Sequence, residues 1–171
     1  MKGTLIWITG LAGSGKTTIG KLVYSELKKT HQNTVFLDGD NYREITGQLS
    51  SHTKEARLDV AMQIARMCHY LTNQNINVVC STISLFKQVH AFNRESNENY
   101  VEVFIDTDIE VLIKRDQKGL YSKAIKGEIK DVVGIDMAFD KPEACHLHLK
   151  NNTKTELENN IKEILNHINI K

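Results

Sequence analysis

The sequence predicts an α/β protein built on a mainly parallel five-stranded sheet with helices on both faces. Three observations predict it. Short apolar runs of strand length alternate with stretches whose apolar residues recur at helical spacing. The chain's 171 residues suffice for one packed core. No Gly/Ser-rich linker, low-complexity stretch or internal repeat divides them, and Pro142 is the only proline. One domain over residues 1–171 is therefore expected.

The elements follow in order along the chain. Residues 5–8, Leu-Ile-Trp-Ile, read as a buried first strand, and residues 19–27 as an amphipathic helix. Residues 34–37 form the second strand. Over residues 53–71, Val60, Ala61, Ile64, Ala65, Cys68 and Leu71 recur at helical spacing. Residues 76–80 and 101–105 supply the third and fourth strands. Thr107 with Glu110 is a candidate capping box for the next helix. Residues 146–149 form a fifth strand, and Thr153 with Glu156 caps a last helix that carries Leu157, Ile161, Ile164, Leu165 and Ile168 on one side. In such a sheet ligands gather beyond the carboxyl ends of the strands, here after Ile8, Leu37 and Cys80.

Composition narrows the function class. Lys and Arg number 22 against 21 Asp and Glu, a formal charge of +1. A nucleic-acid or membrane-surface protein normally carries a basic excess, so neither partner is expected, and any bound anion must be held by locally placed groups. The apolar run at residues 5–8 is too short for a signal segment, and no stretch approaches a membrane span. Cys68, Cys80 and Cys145 show no CxxC spacing. A reduced, cytoplasmic protein with ordinary thiols is expected. His146 and His148 share one strand face, but without a third ligand a structural role is expected of them.

The first strand runs into Gly10-Leu11-Ala12-Gly13-Ser14-Gly15-Lys16-Thr17, a complete G-x-x-x-x-G-K-[ST]. Glycines there let successive backbone N–H groups point at phosphate oxygens, and the following helix adds its positive end. Gly13, Ser14, Gly15, Lys16, Thr17 and Thr18 are the expected ATP cradle. Lys16 would reach the β- and γ-phosphates and the Thr17 hydroxyl would ligate Mg²⁺. The motif implies a P-loop NTPase core, and it is silent about the phosphoryl acceptor. Asp131 to Gly134 fits DxxG, but no guanine-reading NKxD exists in the chain, which removes a GTPase switch.

The second strand leads into Leu37-Asp38-Gly39-Asp40-Asn41-Tyr42-Arg43. Two carboxylates flanking a glycine are costly unless they meet charged partners. In a kinase one of them accepts the proton of the attacking hydroxyl while the other orders Mg²⁺ or substrate.

Taken together, WITGLAGSGKTT (7–18), LDGDNYR (37–43), VEVFIDT (101–107), KGLYSKAIKGEIK (118–130) and GID (134–136) resemble the adenylyl-sulfate (APS) kinase family, in order and at family spacing. The resemblance covers residues 7–142. It implies a nucleoside-monophosphate-kinase-like fold with a lid at about 115–131. It also implies Mg·ATP as donor, a ribose 3′-hydroxyl on a small-molecule nucleotide as acceptor, and a homodimer. On this sequence it makes Asp38 the general base, with Lys16 and Thr17 clamping ATP·Mg and Asp40 a second candidate for the metal. Asp40, Asn41, Arg43 and Arg57 become acceptor contacts, together with Ile83 and Ser84 after the third strand. Arg115, Lys118 and Lys123 fall on the lid, Arg115 toward ATP and Lys118 toward the acceptor's phosphates.

The departures from the family cluster at the acceptor base. The family's two phenylalanines that sandwich adenine fall on His52 and Val132, and a nucleotide-binding Asn falls on Val60. Stacking contributes roughly 1–3 kcal/mol per base, so losing both faces weakens adenine binding by about two to four powers of ten. The resemblance is therefore closest to a branch that phosphorylates the 3′-hydroxyl of a cytidine nucleotide bearing a phosphoramidate, in capsule O-methyl phosphoramidate biosynthesis. The alternatives are a true APS kinase and a non-catalytic nucleotide-binding regulator; retained Lys16, Thr17 and Asp38 speak against the last.

Overall fold

A computed structural model describes residues 2–48 and 53–168. Five parallel strands lie in the order β2-β3-β1-β4-β5: β1 (Thr4–Gly10), β2 (Thr34–Asp38), β3 (Asn77–Thr82), β4 (Asn99–Asp106) and β5 (Leu147–Lys150). Between them run α1 (Lys16–Thr30), α2 (Gly39–Thr46), α3 (Lys54–Asn73), α4 (Lys87–Ser96), α5 (Ile109–Arg115), α6 (Leu120–Ile125) and, last, α7 (Lys154–His167).

The strand periodicity of two splits each central strand between two cores. Leu5, Trp7, Val78 and Cys80 pack on one face against Ala61, Ile64, Ala65 and Cys68 of α3 and Val89 of α4. Ile6, Ile8, Val79, Val103 and Ile105 pack on the other against Ile19 and Val23 of α1 and Leu157, Ile161 and Ile164 of α7. Burial on both faces is why β1 and β3 read as unbroken apolar runs instead of alternating ones. Two smaller clusters lie past the strand ends. One gathers Leu85, Phe104 and Val133, and the other seats Leu112, Tyr121 and Val132 under the segment over 115–131.

Register sets the working edge of the sheet. Asp38 pairs with Ser81 and Thr82 with Thr9, so the carboxyl ends of β2, β3 and β1 finish side by side.

One sequence expectation needs correction. Thr107 does not cap α5. The N-cap is Asp108, which makes no side-chain cap, while the buried Thr107 hydroxyl donates to Asn151 O at 3.2 Å and Ser14 O at 3.4 Å. After β2 the chain enters α2 at once, with Asp38 as its N-cap accepting from Asp40 N at 2.9 Å. The Thr153–Glu156 capping box of α7 is present in both directions.

Candidate active site

The glycine-rich loop joins β1 to α1 and curls as its residues require. Gly15 is the N-cap of α1 at φ +97°, and a Cβ there would stand 2.5 Å from Asn151 Nδ2, so both backbone and space demand glycine. Ser14 is buried and its Oγ has no hydrogen-bond partner among the described residues. Lys16 is 8% exposed, with Nζ donating to Leu11 O at 2.7 Å inside the loop. Burial pushes its ammonium down to about 8, opposed by nearby Asp38 and Asp40. A buried ammonium, an orphaned hydroxyl and a ring of N–H groups at a helix start fit a polyphosphate.

Past β2 the carboxylates take separate positions. Asp38 is buried: Oδ1 accepts from Asp40 N, and Oδ2 accepts from Thr17 Oγ1 at 2.8 Å. That bond joins the loop's hydroxyl to a carboxylate, a donor set suited to a hard divalent cation such as Mg²⁺ beside a phosphate. Among the described residues there is no group of three or more His, Cys, Asp and Glu that could hold a metal ion. Asp40 and Asn41 are exposed on the first turn of α2.

Arg43 and Arg57 are half-buried, from α2 and α3. Burial lowers the basicity of both guanidiniums, and Arg43 lowers Arg57's further, while Asp40 and Asp131 oppose the shift. Two cations close enough to repel across a half-buried surface favour an anion between them. Arg57 Nη2 also donates to Asp131 O at 3.0 Å, joining α3 to the far end of the lid segment.

That segment starts at Arg115, whose guanidinium donates to Gly13 O at 3.1 Å and Asn151 O at 2.8 Å. Asp116 and Lys118 then adopt left-handed backbone, φ 38° and 58°. Asp116 Oδ1 caps α6 by accepting from Tyr121 N and Ser122 N at 2.9 and 3.0 Å. Tyr121 is fully buried and its hydroxyl donates to Ala12 O at 2.7 Å, seating the segment on the phosphate loop. Lys118 is exposed, with Nζ 3.9 Å from Asp40 Oδ2, a weak surface pair.

The remaining expected residues divide by placement. Ile83 accepts from Thr9 Oγ1 at 2.7 Å through its carbonyl, and the adjacent Ser84 is buried with Oγ unpartnered among the described residues. Val60 is 5% exposed in the core under α3, and Val132 is 3% exposed against Leu112 and Tyr121, so neither offers a flat face. His52 lies outside the described residues. Of the histidine pair, His148 on β5 places Nε2 2.8 Å from Asp106 Oδ2, and His146, just before β5, accepts at Nδ1 from Glu102 N, so both serve the β4 edge.

A cavity of about 350 Å³ opens beside the loop, lined by Gly13, Gly15, Thr18 and Arg115 with Asn151, Thr153, Lys154 and Leu157. The last four are not apparent from the motifs. The strand-end rule does reach them, since β5 ends at Lys150 and Asn151 follows directly. Buried Asn151 Nδ2 donates to Ser14 O at 2.6 Å and so braces the loop from behind.

Residues 2–150 match the family model described as adenylylsulphate kinase. A cytidine diphosphoramidate kinase of Campylobacter jejuni is 45% identical over 161 residues, covering 94% of each chain. A probable adenylyl-sulfate kinase of Aeropyrum pernix is 35% identical over 94% of this chain and 89% of its own. Among solved structures, the Mycobacterium tuberculosis APS kinase in complex with AMPPNP and APS superposes with a TM-score of 0.87 at 28% identity, covering 96% of both chains. The matched residues include the phosphate loop, Asp38 and the segment over 115–131, and this chain is a kinase of the adenylylsulphate kinase family.

Proposed function

We propose that this kinase transfers the γ-phosphoryl group of Mg·ATP to the ribose 3′-hydroxyl of cytidine diphosphoramidate, in capsular phosphoramidate biosynthesis. The observation that carries this reading is Val132, a small side chain sunk against Leu112 and Tyr121 where the family stacks an aromatic on adenine. The 45% identity to a cytidine diphosphoramidate kinase supports it, as does the buried aliphatic Val60 in place of an acceptor-binding Asn.

In this reading the loop N–H groups, Lys16 and Thr17 hold the ATP phosphates and Mg²⁺, which neutralises developing charge. Thr18, Arg115 and the cavity before α7 take the rest of the donor nucleotide. Asp38 accepts the proton of the attacking hydroxyl, its position fixed by the α2 cap. Arg43 and Arg57, whose mutual repulsion an anion relieves, take the acceptor's diphosphate with Asp40 and Asn41 beside them. Ile83 and Ser84 border the acceptor. Lys118 follows the lid onto the phosphates, and the closed lid keeps water from the γ-phosphoryl group. The enzyme works in the cytoplasm as a homodimer.

The test is a coupled ADP-release assay with cytidine diphosphoramidate, APS and simple nucleotides side by side. Turnover of the cytidine compound in clear preference to APS is expected. Efficient turnover of APS with none of the cytidine compound would leave an adenylyl-sulfate kinase. His52→Phe combined with Val132→Phe should move preference toward adenine-bearing acceptors, and an unchanged ratio would place the base elsewhere.

A further inference from the structure

Behind the Ile83–Ser84 segment lies a buried charge cluster with no part in the phosphoryl-transfer site. Glu102, in the middle of β4, is fully buried. Its Oε2 accepts from Arg94 Nη2 at 2.8 Å and from the Tyr100 hydroxyl at 3.1 Å. Its Oε1 has no ordinary hydrogen-bond partner among the described residues and faces His90 Nδ1 at 3.4 Å. Across the same imidazole, His90 Nε2 stands 2.9 Å from the backbone oxygen of Ser84, and His90 is 5% exposed.

A carbonyl oxygen can only accept, so His90 Nε2 carries a proton and donates it to Ser84 O, which ties the ring to that segment. Around Glu102 the other ionisable neighbours are Cys145 and His146. From α3 the nearest imidazole, His69, packs edge-on against Phe92 instead.

We infer that His90 positions the acceptor-binding segment: Glu102 borders the ring, the ring holds the Ser84 carbonyl, and Thr9 holds the carbonyl of Ile83. The inference rests on the reading that residues 83–84 border the acceptor. His90 touches no reacting atom. It acts through Ser84, so its loss should appear in acceptor binding and leave donor binding nearly unchanged.

The ring is observed directly by ¹⁵N-resolved NMR of the intact protein, with the His90 signals assigned from their loss in His90→Ala. A protonated Nε2 is expected; an unprotonated Nε2 overturns its bond to Ser84. In kinetics, His90→Ala should raise the KM of whichever acceptor of the panel turns over by about tenfold, with the KM for ATP within about twofold, the worth of one buried hydrogen bond. Glu102→Gln supplies a second variant that keeps shape. Its amide can donate to Nδ1 while its oxygen still accepts from Arg94 and Tyr100, so acceptor KM should stay near wild type. Equal rises in both KM values, or an unmoved acceptor KM in His90→Ala, overturn the positioning role. If no acceptor of the panel turns over, the proposed function fails, while the ring spectrum still decides the proton.

Discussion

Lys16 and Asp38 show what single residues contribute. Both were singled out in the sequence, because phosphate chemistry demands a fixed spacing after a strand; the Lys16 ammonium is buried in the loop after β1, and Asp38 ends β2. Asp38 has a second task the motif did not reveal, the N-cap of α2. This makes Asp38→Asn a clean test, since Asn caps about as well as Asp. The variant should fold normally and bind ATP, yet turn over slower by orders of magnitude. A near-normal rate in the ADP-release assay would remove Asp38 as base. Lys16, held down to about 8 by burial, loses its charge in the empty site as pH rises through that value. A polyphosphate favours the charged form, so nucleotide binding between about pH 8 and 10 should take up a proton. Calorimetry in buffers of different ionisation enthalpy measures that uptake, and buffer-independent heats would contradict it. For folding, the sign runs the other way. Between about 8 and the unfolded value of 10.5 the unfolded chain binds more protons, so this one group makes stability rise with pH there.

Elements were read well where a long apolar pattern repeats and poorly where a helix is short. Helices α1, α3 and α7 follow from spacing alone. Helix α2 has eight residues and one buried position, Gly39, so periodicity had little to show. Helix α4 has Phe86 as its N-cap, which supplies no side-chain cap. Close packing of α1 on the sheet was equally silent. A Cβ on Gly20 would stand 2.8 Å from the Phe36 ring and within contact distance of Ser81 Oγ, whose hydroxyl donates to Lys16 O at 3.1 Å. Helix propensity favours Gly20→Ala by about 1 kcal/mol, but overpacking costs about 1–3 kcal/mol. The clash should win, lowering both the unfolding midpoint and nucleotide affinity; a stabilised variant would show the sheet gives way. At α7, Thr153→Ala removes a capping box and should cost about 1 kcal/mol, roughly 2–4 °C in Tm by calorimetry.

On the scale of the whole molecule, the sheet edge, α3 and the lid segment meet around one opening. Two bonds set this arrangement, Arg57 to Asp131 O and Tyr121 to Ala12 O. Burial pushes the Tyr121 hydroxyl up to about 12, so it stays a donor throughout the working range. Tyr121→Phe keeps the ring among Leu112 and Val132 but frees the loop carbonyl. Acceptor-independent ATP hydrolysis should rise several-fold relative to transfer, since a looser lid admits water. ADP release without acceptor measures this, and an unchanged ratio would mean the seat is not needed for closure.

The sequence by itself determined the α/β architecture, the phosphate loop and the paired carboxylates. These are local facts of spacing and residue type, and nearby chain enforces them. Only the tertiary structure decided that Thr107 braces the loop instead of capping a helix, that Asn151 stands behind Gly15, and that His90 lies between Ser84 and Glu102. Each of those contacts joins residues far apart in the chain. Their chemistry depends on which strand lies beside which, and no local pattern encodes it.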